Sequence, residues 1–282
     1  MKIKTLNGIS NEQLVEVFNL SFSDYSIPFH LTLEQLESKL YADHIDLDLS
    51  VGVFDNDQLV GFMLHGIQTI NKKKIVYNGG TGVIPTKRGL GLTTKMYEFI
   101  NPILTQQYID KVVLEVISNN IQAIKSYKRT RFKKKRTLHC YKGYLNSSKC
   151  SNTLVIKELS EYNWDLMQSF WDITPTWQNA PHVLDKLKEK NHLIGAFIDD
   201  TLVGYLVYNA SSKRLQQISV SKDFRRQKVG TALINYIIER FGSTLSIINV
   251  DEHSTSTNVF LHAIGLKHFL SQLEMTLDLN TH

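Results

Sequence analysis

The spacing of apolar positions changes along the chain, and each change marks an element. Leu14, Phe18 and Phe22 recur at helical spacing behind a Ser10 and Gln13 pair in capping-box form, which predicts a helix from about residue 11. Thr32 and Gln35 repeat the device before a second, shorter helix. From Val51 the period shortens, and "VGVFDNDQLVGFML" (51–64) reads as strand, Asp/Asn-rich turn, strand: a β-hairpin. A strand is predicted over 75–84, a helix from about Leu92, a strand over 112–117, a helix from near Asn120 and closing strands over 133–144. Pro102 lies inside the long helical stretch, where its missing N–H predicts a kink or an end. The order is mixed α/β (α+β), with a largely antiparallel front.

The pattern then repeats. "IGAFIDDTLVGYLV" (194–207) matches the hairpin without a gap, so that Gly52, Phe54, Asp57, Leu59, Val60 and Gly61 recur as Gly195, Phe197, Asp200, Leu202, Val203 and Gly204. A repeat this long predicts two related domains rather than a solenoid. A chain of 282 residues is also long for one core. The Ser/Asn-rich "YLNSSKCSNT" (144–153) supplies the linker, giving domains 1–145 and 153–282 joined by 146–152.

Composition narrows the class of protein. With 42% apolar and 21% charged residues the chain reads as an ordinary folded protein, and no apolar run is long enough for a membrane helix. The opening "MKIKTLNGIS" lacks signal-peptide features, and Cys140 and Cys150 make neither a metal-ligand spacing nor a disulfide framework. A reducing cytoplasm is the expected location, with no metal. A formal charge of +5 favours anionic partners, either a polyanionic cofactor or a nucleic acid.

Candidate chemistry sits in "GTGVIPTKRGLGLTTKMYEF" (80–99). A strand that ends in glycines and feeds a helix leaves unpaired N–H groups pointing one way, which with the helix dipole makes an anion site. Gly89 and Gly91 let the backbone approach a diphosphate, and Lys87 and Arg88 add positive charge. Neither a Walker loop nor the dinucleotide-binding glycine pattern is present.

Together with the repeat, two motifs in order carry a resemblance to the GCN5-related N-acetyltransferases. The first is Arg88-x-x-Gly91-x-Thr93, similar to the family's coenzyme A loop, with Thr in the last small position. The second is "NNIQAIKSYKRTRF", in which Asn120, Ala123, Tyr127 and Phe132 match the family's Asn-x-x-Ala-x-x-x-Tyr helix; Arg131 stands where a glycine is usual. The resemblance implies tandem folds of this family, each a mixed, largely antiparallel twisted sheet flanked by helices. It implies acetyl-CoA as cofactor, with Thr81, Gly82 and Val83 along the pantetheine arm. Arg88, Gly89, Leu90, Gly91, Leu92, Thr93 and Thr94 would wrap the pyrophosphate, and Asn120 would contact the cofactor.

Acetyl transfer to an amine needs a neutral nucleophile, and a lysine-like amine is neutral in only about one molecule in a few thousand near pH 7. A base is therefore worth having. Tyr127 follows Asn120 by two helical turns, so both face the cofactor and Tyr127 is the candidate general acid. Glu115 precedes Tyr127 by the spacing found in the ribosomal-protein N-terminal alanine acetyltransferases, a resemblance that implies a base; strand alternation puts it on the face opposite Leu114 and Val116. Asp24 and Tyr25, between the first helices, are acceptor-side candidates, and Lys125, Lys128 and Arg129 are candidates for the cofactor's 3′-phosphate. The basic run "KRTRFKKKR" (128–136) reads as a solvated face, and nucleic acid is not the expected partner. His139 beside Cys140 reads as packing.

In the second copy the loop becomes Arg225-x-x-Lys228-x-Gly230, and Asn249, Ser254 and Leu261 take the places of Glu115, Asn120 and Tyr127. The expectation is an N-acetyltransferase acting on a small amine or a peptide N-terminus from the first domain, with a degenerate second copy. Two alternatives stay open: a non-catalytic acyl-CoA-binding module, and a working site in the C-terminal copy. The acceptor's identity and the oligomeric state are not legible.

Overall fold

Both early helices start where their caps predict. Ser10 accepts from the Gln13 N–H at the head of α1 (Asn11–Ser21), and Thr32 and Gln35 form a complete, reciprocal capping box on α2 (Leu33–Ala42). The structure, a computed structural model, describes residues 1–24, 30–147 and 154–279. Tyr25, Cys150 and residues 148–152 of the expected linker lie outside the described residues.

The chain forms two compact units, each built on a helix-flanked sheet. Unit 1 comprises Met1–Lys135 together with Leu273–His282, and unit 2 comprises Arg136–Gln272. The expected boundary at the linker is therefore displaced at the last strand of each repeat: β6 (Lys133–Tyr144) lies in unit 2 from Arg136 onward, and β12 (Leu266–Asp278) lies in unit 1 from Leu273 onward. Met275 and Leu277 are buried in the unit 1 core, and Tyr141 and Leu145 in the unit 2 core.

Unit 1 begins with an antiparallel meander of β1 (Lys2–Thr5), β2 (Val51–Asp55), β3 (Gln58–Ile70) and β4 (Lys73–Val83). β5 (Lys111–Ile117) then pairs parallel to β4, and the end of β12 follows it; Leu279 N–H donates to the Asp110 carbonyl. The β2–β3 turn places Asn56 and Asp57 at φ 47° and 63°, the left-handed pair of a type I′ turn. On one face α3 (Leu92–Gln106) and α4 (Ile121–Arg129) pack with Met63, Val76, Leu114 and Val116. On the other, Leu14, Phe18 and Leu36 of α1 and α2 meet Phe62 and Leu64. α3 runs through Pro102 and does not end there, so of the kink or end expected from sequence the end is ruled out. Both Pro102 and Glu98, whose carbonyl loses its helical donor, are exposed, so that carbonyl is not left unpaired inside the core.

Unit 2 repeats the plan. β7 (Val155–Leu159), α5 (Trp164–Ser169), α6 (Pro181–Lys186), β8 (His192–Ile198), β9 (Thr201–Asn209), β10 (Arg214–Val220), α7 (Val229–Phe241), β11 (Thr244–Asp251) and α8 (Thr255–Ala263) follow in order. The sheet runs β6-β11-β10-β9-β8-β7. Its hairpin turn has Asp199 and Asp200 at φ 46° and 60°, and in both hairpins a bulge follows, at Val60 and at Val203. No helix among the described residues is long and apolar enough to cross a membrane.

Candidate functional site

The site begins where two parallel strands part. β4 and β5 pair only through Ile75/Lys111, Val76/Val112 and Tyr77/Val113, after which β4 continues to Val83 along β3 alone. A bulge at Gly79, between the Leu64/Gly80 and His65/Asn78 pairs, turns the strand away. Asn78 holds that bulge: its buried amide donates to Tyr97 Oη (2.6 Å) and Thr81 Oγ1 (2.8 Å) and accepts from the Gly80 N–H (3.1 Å). The backbone edge of residues 78–83 thus faces a gap instead of a neighbouring strand. Asn78 was not singled out from sequence; an Asn inside a strand, immediately before two glycines, was the available signal.

The loop after Pro85 closes one end of the gap. Gly89 and Gly91 take left-handed conformations (φ 79° and 69°), and a Cβ at either would meet nothing within 4 Å. Gly91 is the N-cap of α3 and supplies no side-chain cap, so the first N–H groups, of Leu92, Thr93 and Thr94, lack helical partners; the first turn closes at Lys95 N–H to the Gly91 carbonyl. A cleft of about 670 Å³ opens in front, lined by Thr81–Val83, Arg88, Gly89, Gly91, Leu92, Thr93, Asn120 and Tyr127. Lys87, Lys125 and Arg129 also line it, and among the described residues Asp24 is its one carboxylate. Leu90 points away, 47% exposed, and neither Thr94 nor Lys128 lines the cleft.

Arg88 has an occupation that the motif did not suggest. Its Nε donates to the Val83 carbonyl (3.1 Å), and Nη2 donates to the Ser21 carbonyl (2.8 Å) and Asp24 Oδ1 (2.8 Å). Nη1 donates to Asp24 Oδ2 (2.6 Å). Four of the five guanidinium protons therefore tie the loop to the end of α1, and Asp24 is held below the usual carboxylate range, chiefly by that hydrogen bond. Unit 2 builds the same clamp. Arg225 donates to the carbonyls of Val220 (3.2 Å) and Phe170 (3.1 Å) and to Asp172 Oδ1 (3.0 Å).

Asn120 is the N-cap of α4, its Oδ1 accepting from the Ala123 N–H (3.1 Å). Two turns on, Tyr127 is buried edge-on to Tyr97, with ring centroids 6.3 Å apart. Arg131 takes φ 70°, so the turn keeps the left-handed conformation that the usual glycine would supply; Gly265 has φ 101° at the matching place in unit 2. Glu115 lies on the sheet face opposite Leu114, Val116 and Tyr127, where Oε2 accepts from Tyr77 Oη (2.8 Å). Burial pushes its pKa up to about 7 against the pull of that hydrogen bond, with Glu274 and Asp43 adding repulsion.

In unit 2 the strands part at the matching place, after Arg214/Ser246, but the gap is filled. Gln217, at the place of Gly80, accepts from Tyr205 Oη (2.7 Å) and donates to the Asn179 carbonyl. β11 carries a bulge at Asn249 (φ 63°), so Ile248 and Asn249 share the place of Glu115, and Leu261 is fully buried at that of Tyr127. A recess of about 90 Å³ is left between β10 and β11.

A parallel strand pair that parts at a glycine-rich or basic helix start, present in each unit, is the architecture of an acetyltransferase written twice. The chain belongs to the acetyltransferase (GNAT) family, whose sequence profile matches it over residues 14–132 and again over 156–263. No curated protein matches it in sequence. Among solved structures it resembles a GCN5-related N-acetyltransferase from Sphaerobacter thermophilus (12% identity, 99% of this chain and 96% of that one, TM-score 0.74). It also resembles a tandem GNAT protein from the clavulanic acid biosynthesis pathway (10%, 100% and 99%, TM-score 0.74). A third is the glucosamine N-acetyltransferase region of a fungal multi-domain β-N-acetylglucosaminidase (15%, 97% and 38%, TM-score 0.72). At these identities the likeness concerns the fold.

Proposed function

We propose that the protein is an acetyl-CoA-dependent N-acetyltransferase that works in the unit 1 cleft on a primary amine, either a small amine or a peptide N-terminus. The observation that carries this reading is the convergence of a parted strand edge, an uncapped helix start and the Asn120–Tyr127 helix face on one cleft of about 670 Å³. Coenzyme A fits these residues: Gly89 and Gly91 leave open the volume that side chains would take, and the N–H groups of Leu92, Thr93 and Thr94 suit a pyrophosphate. The open backbone edge of Thr81–Val83 suits the amide-bearing pantetheine arm. Lys125 and Arg129 carry the charge that a 3′-phosphate would want.

Acetyl-CoA supplies an acetyl group activated as a thioester. The residues of this chain bind it, orient it and move protons. An N–H of the 81–83 edge would be the group to polarise a bound acyl carbonyl. Tyr127 Oη carries the proton that the leaving group needs. Glu115, with a pKa near 7, is matched to drawing a proton from an incoming ammonium. Because Glu115 and Tyr127 occupy opposite faces of the sheet, the amine and the leaving group are served from opposite sides of the β4–β5 gap.

The test is free-thiol release from acetyl-CoA across a panel of amines. Amine-dependent release is expected. Cofactor binding by calorimetry with no release for any amine would instead favour a non-catalytic acyl-CoA-binding module.

A further inference from the structure

Unit 2 keeps the parted strands while losing the room for coenzyme A, and what remains has a polarity of its own. The recess is lined by Trp171, Asp172, Asn179, Tyr205, Gln216 and Gln217, among others. Apart from Gln216 Nε2, its side-chain nitrogen donors are already used: Trp171 Nε1 on Tyr205 Oη, Gln217 Nε2 on the Asn179 carbonyl, Asn179 Nδ2 on the Ile248 carbonyl, and Asn249 Nδ2 on Thr176 Oγ1. The hydroxyl protons of Tyr205 and Ser219 go to Gln217 Oε1 and to the Phe170 carbonyl. Two acceptors are left over. Asn179 Oδ1 and Gln216 Oε1 are buried without a hydrogen-bond partner, on residues only 5% and 8% exposed.

The Asn179 amide cannot be turned round to hide its oxygen, because only its NH₂ can face the Ile248 carbonyl. Buried acceptors of this kind are costly unless something donates to them. A phosphate or carboxylate would set its own lone pairs against them. A group rich in N–H donors complements them, and the indole of Trp171 offers an aromatic wall; the Asp172 carboxylate in the same lining is already held by Arg225 and Ser256 Oγ. A volume of about 90 Å³ admits a head group and little more.

We propose that the unit 2 recess, with the bare oxygens of Asn179 and Gln216, is a second binding site of this protein, taking the ammonium group of a small primary amine. It lies apart from the unit 1 cleft in composition and chemistry and does not depend on catalysis there. Gln216 is the selective handle, since it bonds to nothing that holds the network together, whereas Asn179 anchors Ile248 and Gln217.

The test is titration of the full chain with methylammonium chloride, followed by calorimetry and thermal shift, with tetramethylammonium chloride as the donor-free control at matched ionic strength. Saturable methylammonium binding is expected, weakened at least about tenfold by Gln216→Met and strengthened by Gln216→Glu, which places a negative charge on the same atoms. Both variants are near-isosteric, and their melting curves in buffer report folding directly. Glu115→Gln, in unit 1, should leave this binding in place. Absence of saturable binding would mean that the recess holds water alone and would overturn the proposal. Equal binding of tetramethylammonium would also overturn it, as would loss with Glu115→Gln but not with Gln216→Met.

Discussion

Gly91 and Lys228 adopt one backbone conformation, φ 69° and 62°, at the first position of matching helices. Gly89 and Arg226 match in the same way, at φ 79° and 63°. The two left-handed positions are thus built twice to one geometry, and only in unit 1 do they carry no side chain. Gly91→Lys copies the unit 2 solution: the backbone is already shown to accept it, at a cost of about 1 kcal/mol for a non-glycine residue in the left-handed region. Coenzyme A affinity should fall at least tenfold, about 1.4 kcal/mol, although positive charge is added. Unaltered affinity in calorimetry would move the pyrophosphate elsewhere.

If Arg88 acts by tying the loop to α1, then Arg88→Ala and Asp24→Asn should weaken coenzyme A binding by similar factors. The double variant should be little worse than either single one, as expected for partners in one interaction. A direct phosphate contact would instead make Arg88→Ala much the more damaging, with Asp24→Asn close to neutral.

Tyr127→Phe removes one oxygen from a buried ring that still packs against Tyr97 and Phe132. A fall of roughly 10²-fold in kcat is expected, with coenzyme A affinity unchanged by calorimetry. Full turnover in the variant would reduce Tyr127 to a packing residue.

Glu115 offers two readouts with definite signs. As a base it works when ionised, so the rate should rise with pH through about 7, and Glu115→Gln should remove that limb. For stability, the folded carboxyl titrates near 7 against 4.5 for the free group. The native state therefore favours the protonated form, a contribution present below about 4.5 and lost as pH rises through about 7. The melting temperature of Glu115→Gln should match wild type at pH 4 and exceed it at pH 8. Equal melting temperatures at both would mean that the carboxyl is well solvated.

One chain should bind one coenzyme A, and Arg225→Ala should leave turnover within about twofold, roughly 0.4 kcal/mol in the barrier. Two sites per chain in calorimetry would show the filled unit 2 gap opening for the cofactor.

Much of this was legible because it is local. The hairpin turns follow from Asn56–Asp57 and Asp199–Asp200, the α4 start from Asn120, and the sheet face of Glu115 from alternation with Leu114 and Val116. What was hidden depends on partners distant in sequence. Nothing near Arg88 in sequence reveals that Asp24 and Ser21 are brought beside it. Pro102 reads as a kink or an end, and the end is avoided because Glu98 faces water, which sequence does not reveal. The strand segment at Met275 and Leu277 has the same alternating pattern whichever sheet it completes.

That last strand has a consequence for how the protein is made. A nascent chain that has just completed the first repeat exposes β5, with Val112 and Leu114, before Met275 and Leu277 exist to cover them. The core carrying the cleft is closed only after all of unit 2 has been synthesised, so it matures late through contacts of long sequence separation. Cutting the chain at its internal repeat would give fragments with open sheet edges, prone to pair with other chains rather than to fold as independent halves.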